Sequence, residues 1–358
     1  MQDKAIGLLR ELTDAHGAPG FEDEVRAIFA DELDGLGVIS TDGNGSVFCE
    51  AGEGPRVLLT GHMDEVAFRV QNITPDGFIQ FVTLGGWWPH TLLAQRVAVR
   101  TADGRKVLGV VASTPPHFLP DSERSKVLSI DKMFIDVGAS SRVDLEKNIG
   151  VRIGDPIVPL TAFTPMHDPN LFMAKAFDNR VGMACAIQAT QSLAANHHPN
   201  TLVACGTVQE EVGVRGAVTA AVQSKPDVAI VLEGTPADDT PGFNRSASQG
   251  AMGKGVQIRL QDPTAIMNPA LVDLTVKVAE EKGIPYQLTV RSSGGTDARA
   301  FHLSGRGVPT IVLGTPSRYI HSHNSIIDVR DYVAMVDLSI ALVQRLDENE
   351  VDALTAYL

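Results

Sequence analysis

The sequence has few cysteines, few aromatic residues and few positive charges. Its three cysteines, Cys49, Cys185 and Cys205, are an odd number without paired spacing, which favours a reducing compartment. The 30 Lys and Arg residues are outnumbered by 43 Asp and Glu residues, for a formal net charge of −13. Nucleic acid is therefore not an expected partner, because phosphate backbones are bound by clustered Lys and Arg on a net basic surface.

Long apolar runs are also missing. No run reaches the length of a membrane span, and charged residues interrupt the amino-terminal segment at helical spacing, so we expect no membrane-spanning helix. We therefore predict a cytoplasmic protein. The 44% of hydrophobic and 20% of charged residues, in a chain of 358, are sufficient for a packed globular core.

Helical periodicity and short apolar runs alternate along most of the chain. Helices are predicted near residues 6–12 and 21–33, followed by a buried strand at residues 57–60. After Pro165, strands are predicted at residues 201–208, 227–232, 255–260, 287–291 and 308–313, and helices at residues 178–195, 216–222, 269–282, 297–303 and 329–346. This alternation predicts an α/β fold with a mainly parallel sheet flanked by helices.

The middle of the chain has a different pattern. Short alternating segments, such as residues 96–100 and 106–111, are separated by Gly and Pro, and helical periodicity is nearly absent. This pattern predicts a small β-barrel or sandwich. We therefore predict a discontinuous main domain of residues 1–67 and 168–358, with an inserted all-β domain at residues 68–167.

Side chains that bind metals come directly after several predicted strands. Ligands in open α/β sheets bind outside the carboxyl ends of the strands, so such side chains are expected to gather at one edge. The candidates are His62, Asp64 and Glu65 after the first strand, Glu210 and Glu211 after the second, Glu233 after the third, His321 and His323 in the loop after the last, and Asp178 at the start of a helix.

Each candidate also has an ordinary structural explanation. Asp178 could cap its helix, Glu210 and Glu211 could lie on a solvated loop, and His62 could be a hydrogen-bonded structural histidine. Unrelated surface residues have no reason to gather immediately after apolar strands, whereas an active site requires that placement. The combination therefore favours a site.

The types of side chain indicate the chemistry of this site. Histidine and carboxylate ligands without a thiolate suit Zn²⁺, Co²⁺ or Mn²⁺, and an excess of carboxylates allows one of them to bridge two ions. Two neighbouring ions can share a hydroxide and polarise a carbonyl, which is chemistry for hydrolysis. Within the pair Glu210-Glu211, one carboxylate could bind metal while its neighbour moves a proton from water to a leaving amine.

Five motifs, in this order along the chain, resemble the M42 family of metallo-aminopeptidases, which includes the tetrahedral and glutamyl aminopeptidases. They are GHMDE at residues 61–65, AFDNR at 176–180, TVQEEVG at 207–213, GGTDA at 294–298 and YIHS at 319–322. The resemblance covers essentially the whole chain. It implies a zinc-peptidase-like catalytic domain that removes the amino-terminal residue from peptides with a free amino terminus.

The resemblance also implies two divalent metal ions, with Zn²⁺ as the first candidate and Co²⁺ or Mn²⁺ as alternatives. One ion would be held by His62, Asp178 and Glu233, and the other by Asp178, Glu211 and His321. Asp64 would orient His62 through its second ring nitrogen, and Glu210 would be the general base and acid. A non-proline cis peptide bond is expected after Asp178.

Two positions need a choice. Many relatives have Asp where this chain has Glu233, and the longer side chain should still bind metal. The family's histidine ligand directly precedes Ser, which selects His321 and leaves His323 as a reserve ligand.

By the same resemblance, Gly294, Gly295, Thr296 and Asp297 border the pocket for the amino-terminal side chain, although this segment could also be a flexible turn in which Asp297 caps the next helix. The sequence assigns no charged residue to that pocket. Neutral, acidic and basic amino-terminal residues therefore remain open, and we favour neutral ones.

Relatives form dimers through the inserted domain and hollow tetrahedral dodecamers, so the resemblance implies a homo-oligomer. Trp87 and Trp88 could be interface anchors or part of an aromatic core. Two other functions remain open: a glycoside hydrolase, which also needs two carboxylates but leaves His62 and His321 unexplained, and an inactive binding or scaffold protein of the same fold.

Overall fold

The computed structural model describes residues 2–358 of the chain. Helices α1–α9 lie at Gln2–Asp14, Asp23–Glu32, Asp121–Arg124, Phe177–Ala194, Arg215–Ser224, Pro269–Lys282, Ala298–Phe301, Val329–Arg345 and Glu348–Ala353. Strands β1–β18 lie at Val38–Thr41, Val47–Gly52, Arg56–His62, Ala67–Ile73, Ile79–Leu84, Arg96–Arg100, Lys106–Ala112, Phe134–Asp136, Pro156–Pro159, Thr164–Pro165, Leu171–Ala174, Thr201–Thr207, Val228–Pro236, Val256–Asp262, Ala265–Ile266, Tyr286–Val290, Thr310–Arg318 and Ser325–Asp328.

A twelve-stranded sheet forms the centre of the main domain. Its central strands β12, β3, β13 and β17 pair in parallel. Strand β12 is buried along its whole length, which explains its continuous apolar sequence, because a parallel strand covered on both faces has no polar side. The predicted α/β fold is confirmed in these strands, and antiparallel strands such as β1, β2 and β18 extend the sheet on both sides.

Strands β4 to β9 form a closed barrel in the order β4-β5-β8-β7-β6-β9. Alternate side chains, among them Phe68, Val97 and Ile135, point inward and form a hydrophobic core separate from that of the main sheet. Of the two architectures expected for the middle of the chain, the barrel is the one observed. We propose residues 68–167 as the inserted domain; its last strand, β10, lies outside the barrel and pairs with β11 in the large sheet.

Two central strands are longer than the sequence predicts. The predicted ends at Leu232 and Leu313 are wrong, because β13 and β17 continue to pair in register as far as Pro236 and Ser317. Glu233 therefore lies within a strand instead of following it. Its backbone is fixed by the sheet, which restricts where its carboxylate can point.

Among residues 2–358, no helix is long and apolar enough to cross a membrane. The cysteines at 49, 185 and 205 are buried and free.

Candidate metal centre

The predicted site residues of the central strands lie at the carboxyl edge of the parallel sheet. His62 is the last residue of β3, and Glu210 and Glu211 follow β12. Thr207 at the end of β12 pairs in register with His62. Parallel pairing therefore carries the Glu210-Glu211 loop to the imidazole of His62, as the strand order requires.

Asp178 lies between two histidines and contacts each through a different oxygen. Its Oδ1 is 3.2 Å from Nε2 of His62, and its Oδ2 is 3.3 Å from Nε2 of His321. Oε2 of Glu211 is 3.4 Å from the same His321 nitrogen. Two ligand atoms of one tetrahedral zinc ion, each about 2.1 Å from the metal, are about 3.4 Å apart. These separations therefore match pairs of ligands that share an ion.

The other two carboxylates face His62. Oε2 of Glu233 is 3.8 Å and Oε2 of Glu210 is 3.9 Å from its Nε2. Ligand atoms of His62, Asp178 and Glu211 all lie within 4.8 Å of one another. The structure therefore brings together the residues predicted as ligands, with Asp178 in the middle.

The electrostatics of this cluster also suit cations. Burial raises the pKa of Glu211 to about 8 and holds the pKa values of Glu210 and Glu233 well above their ordinary range. Burial would also raise the pKa of Asp178, but hydrogen bonds with His321 and His62 hold it well below its usual value. Buried carboxylates that outnumber their positive partners are unfavourable unless they are neutralised. Divalent cations would supply the missing positive charge.

Backbone carbonyl groups set the orientation of both imidazole rings. Nδ1 of His62 is 3.0 Å from the carbonyl oxygen of Asp64, and Nδ1 of His321 is 2.9 Å from that of Gly86. With Nδ1 donating to a carbonyl group, Nε2 of each ring is the nitrogen that faces Asp178, and it would bind a metal ion after losing its proton. Gly86 was not predicted as a site residue, because it lies in the inserted domain, 235 residues before His321.

Two buried carboxylates hold the loop that carries Glu210 and Glu211. Asp64 accepts hydrogen bonds from the backbone N–H of Glu210 through Oδ1 (2.9 Å) and of Glu211 through Oδ2 (3.0 Å). Its Oδ1 is 3.5 Å from Nδ1 of His62, so its side chain holds the loop more directly than it holds the histidine. Glu22, which is only 2% exposed, accepts a hydrogen bond from Gln209 N.

Glu22 directly precedes α2, a position where an acidic side chain usually interacts with the positive end of the helix. The structure instead turns its carboxylate towards the backbone N–H groups of Gly20 and Gln209, and it makes no cap hydrogen bond to the helix. Burial raises its pKa to about 7. A glutamate before a helix resembles an ordinary capping residue, and its partner lies 187 residues away, so no local signal reveals this contact.

Several residues of the site have unusual backbone conformations. Ala176, Gln209, Tyr319 and His321 have positive φ angles between 55° and 59°, which are sparsely populated for residues other than glycine. Each is within two positions of a predicted site residue. Such conformations persist only where the surrounding structure holds them in place. The peptide bond between Asp178 and Asn179 is cis.

The alternative that Asp178 caps helix α4 is not what the structure shows. Oδ1 of Asn179 accepts hydrogen bonds from the backbone N–H groups of Gly182 and Gly234. Asp178 and Asn179 have non-helical backbone angles within α4, so the regular part of the helix begins after Asn179. Asn179 therefore satisfies the backbone at this point, and both oxygens of Asp178 remain directed at the histidines.

His323 does not join the cluster of ligands. It is 1% exposed and its ring packs against those of Trp87 and Phe68, with centroids 5.3 Å and 6.4 Å apart. Burial lowers its pKa to about 4. The structure therefore separates the two histidines of this loop: His321 faces Asp178, and His323 belongs to an aromatic cluster.

The predicted substrate-binding segment lies beside the His62 flank of the centre. Asp297 is buried and accepts a hydrogen bond from the hydroxyl of Thr207, which is the residue paired with His62. It makes no side-chain cap bond to α7. Thr296 is buried, whereas Gly294 has a positive φ of 80° with open space around its Cα. A Cβ at Gly295 would meet Thr264.

Comparisons with known proteins agree with this architecture. A family model described as M42 glutamyl aminopeptidase matches residues 44–338. The chain is 32% identical to a glutamyl aminopeptidase of Lactococcus lactis subsp. cremoris over 354 residues, 98% of each protein. It is 42% identical to a crystal structure of a TET aminopeptidase from the marine sediment archaeon Thaumarchaeota archaeon SCGC AB-539-E09, with a TM-score of 0.95 over 99% of both chains. It is 29% identical to the Pyrococcus horikoshii TET1 peptidase, which can assemble into a tetrahedron or a large octahedral shell, with a TM-score of 0.85 over 96% of this chain and 100% of that one.

Proposed function

Because the chain belongs to the M42 family of aminopeptidases, we propose that it uses two divalent metal ions to remove the amino-terminal residue of peptides. Family membership makes the chain an aminopeptidase and implies divalent metal. The observation that carries the two-ion proposal is the position of Asp178, whose two oxygens face two different histidines. A carboxylate placed in this way can bridge two ions.

The proposed ligands divide into two sets that share Asp178. His62 and Glu233 complete the set on the β3 side, where their facing atoms are 3.8 Å apart. Glu211 and His321 complete the other set, with facing atoms 3.4 Å apart. Zn²⁺ suits this mixture of imidazole and carboxylate, and Co²⁺ or Mn²⁺ would also fit.

Glu210 is the proposed general base and acid. Its backbone N–H is held by Asp64, and its carboxylate faces the same His62 nitrogen as Asp178 does. When bound, the two ions would lower the pKa of water and polarise the substrate carbonyl. The Glu210 carboxylate would accept the proton of the attacking water and deliver it to the nitrogen of the leaving peptide.

Two alternative functions are less well supported. A glycoside hydrolase needs two carboxylates, but its mechanism does not require the contacts of His62 and His321 with Asp178. An inactive binding protein would not require four largely buried carboxylates to face these two histidines, namely those of Asp178, Glu210, Glu211 and Glu233.

We also propose that the protein assembles with itself and works in the cytoplasm. The P. horikoshii relative can assemble into a tetrahedron or a large octahedral shell. Free, buried cysteines fit a reducing compartment. Light scattering of the purified protein should give the mass of a dimer or a larger oligomer; a monomer at all concentrations would contradict the proposed assembly.

The reaction is tested with metal-free protein to which Zn²⁺, Co²⁺ or Mn²⁺ is added back. Aminoacyl reporter substrates with neutral, acidic and basic side chains are assayed beside an amino-acetylated copy of the best one. We expect hydrolysis of the free-amine substrate, loss of activity with a chelator, and no hydrolysis of the acetylated copy. Equal turnover of the acetylated copy, or activity without metal, would overturn the proposal.

A further inference from the structure

A cavity of about 720 Å³ lies next to the metal centre. It is formed between two segments that are distant in sequence, residues 86–95 of the inserted domain and residues 319–324 of the main domain. Gly86 and His321 line it, and the hydrogen bond between them forms part of its wall. The cavity therefore borders the metal centre at His321.

The lining of this cavity is mainly apolar, with polar side chains contributed by Thr91, Gln95, Ser322 and Asn324. Trp87, Trp88, Tyr319 and Ile320 contribute to it, and none of its lining residues, all within the described part of the chain, is Asp, Glu, Lys or Arg. Charged side chains would lose hydration here without gaining a partner. An apolar or aromatic side chain suits such a lining.

The cavity and the segment at residues 294–297 flank the metal centre on different sides. Asp297 bonds to Thr207, the strand partner of His62, whereas the cavity is lined by His321. Asp178 stands between the two histidines. If the first side chain lies at residues 294–297, as the sequence predicts, a peptide whose scissile carbonyl lies at Asp178 would continue after the cleaved bond towards the His321 side.

We infer that this cavity binds the side chain of the second residue of the peptide, the residue after the cleaved bond, and that it selects large apolar or aromatic side chains. The inference rests on the proposed function and on the prediction from the sequence that residues 294–297 border the pocket for the first side chain. The aminopeptidase would then be selective for the side chains of two substrate residues, one on each side of the cleaved bond.

Trp88 is the residue that should set this selectivity. Trp87 stacks on Phe68 with ring centroids 4.6 Å apart and donates a hydrogen bond from Nε1 to the carbonyl oxygen of Ala67, so its position serves the barrel core. Trp88 has no such partner in the core: it is 63% exposed and its ring meets only that of His90, at 4.6 Å, among the described aromatic contacts. Its side chain is therefore free to contact a substrate.

The test measures kcat/KM for tripeptides Leu-X-Gly in which X is Gly, Phe, Trp, Glu or Lys, by mass spectrometry of the released products. We expect the unaltered enzyme to prefer Phe to Gly by about 10-fold, the effect of a good apolar contact in a pocket, and to disfavour Glu and Lys. Trp88→Ala should bring the Phe to Gly ratio close to one while Leu-Gly-Gly is still cleaved. Trp88→Lys should raise the relative rate for X = Glu.

The matched control is Phe118→Ala, which removes an aromatic side chain that is 79% exposed on the same domain and outside the cavity lining. It should leave all ratios unchanged. Each ratio is measured within one enzyme preparation, so partial unfolding of a variant does not affect it, and light scattering checks that Trp88→Ala keeps its assembly state.

Three outcomes would overturn the inference. The first is equal kcat/KM for X = Gly and X = Phe in the unaltered enzyme. The second is a Trp88→Ala variant whose preference changes in an X-Gly-Gly series, at the first residue, and not in the Leu-X-Gly series. The third is a Trp88→Ala variant that changes its assembly and keeps its ratios. None of these three outcomes contradicts the proposed aminopeptidase function. That function would be rejected if the enzyme, with metal added, cleaved no peptide.

Discussion

Among single residues, Asp178 is the one on which the site depends. Its Oδ1 faces His62 and its Oδ2 faces His321. The neighbouring Asn179 supplies the hydrogen bonds that the backbone needs at the start of α4. Because Asn179 makes these backbone hydrogen bonds, the carboxylate of Asp178 is left to contact the two histidines.

Glu210→Gln separates metal binding from proton transfer. The amide keeps the size of the side chain but cannot accept the proton of water, so we expect kcat to fall about 10²–10⁴-fold, the usual range for loss of an acid–base group. Metal content should remain unchanged because Glu210 is not a proposed ligand. Steady-state kinetics and metal analysis on the same preparation check both, and near-normal turnover would exclude this role.

The two histidines of the 319–324 loop should behave differently. His321→Ala should abolish activity and remove one metal equivalent, because it deletes an imidazole that faces Asp178 and Glu211. His323→Phe should keep both equivalents, because His323 packs among aromatic rings. Metal analysis after dialysis distinguishes the two. Loss of metal only in His323→Phe would reverse the assignment.

Asp64→Asn tests the support of the Glu210-Glu211 loop. Each oxygen of Asp64 accepts one backbone N–H, and an amide would turn an NH₂ group towards one of those donors. We expect about 10–100-fold weaker metal binding, as for other residues that orient ligands. Asp42→Asn is the control, because Asp42 also accepts backbone N–H groups, those of Asn44, Gly45 and Ser46, but in the turn before β2. Equal metal affinity in both variants would contradict this account.

At the scale of elements, glycines allow helix α4 to lie close to the sheet. A Cβ on Gly61 in β3 would be 2.7 Å from the carbonyl carbon of Gly182, and one on Gly234 in β13 would be 2.7 Å from the carbonyl oxygen of Phe177 and 3.0 Å from the Cα of Asp178. The start of α4 is thus held between two neighbouring strands. This close packing is what places Asp178 beside the ends of the strands.

Gly234→Ala should therefore damage both the fold and the site. The new methyl group has to displace the backbone at Asp178, and we expect a loss of about 1–3 kcal/mol in the free energy of unfolding, as for other overpacked cores, with weaker metal binding. Gly7→Ala in α1 is the control, because nothing lies within 4 Å of its Cβ and alanine favours a helix. Urea denaturation measures the free energy of unfolding of both variants. An unchanged stability of Gly234→Ala would show that the helix can move away freely.

The elements that the sequence predicts well are those with a local signal. The helix at 269–282 has the predicted bounds, Pro269–Lys282, because Asn268, Pro269 and Gly283 mark its ends. The predicted ends of β13 and β17 were wrong, because pairing between the two strands extends them beyond their apolar residues. Register across a sheet depends on partners that are distant in sequence.

At the scale of the whole molecule, the barrel and the main domain meet at the metal centre. The carbonyl group of Gly86 orients His321, and the same junction forms the cavity between residues 86–95 and 319–324. Motifs at the ends of strands predict which side chains gather at this edge, because the ends of parallel strands meet there. The contributions of Gly86 and Glu22 come from the tertiary fold, and the sequence near them carries no sign of a metal site.

The central claim is that Asp178 joins two metal sites, and metal stoichiometry tests it most directly. Protein dialysed against micromolar Zn²⁺ and analysed by inductively coupled plasma mass spectrometry should hold two ions per chain. Asp178→Ala, compared with Asp34→Ala at an exposed turn position as a control, should fall below one ion per chain, because both sites lose a shared ligand. Two ions retained in Asp178→Ala, or a single ion in the unaltered protein at saturating metal, would contradict the account.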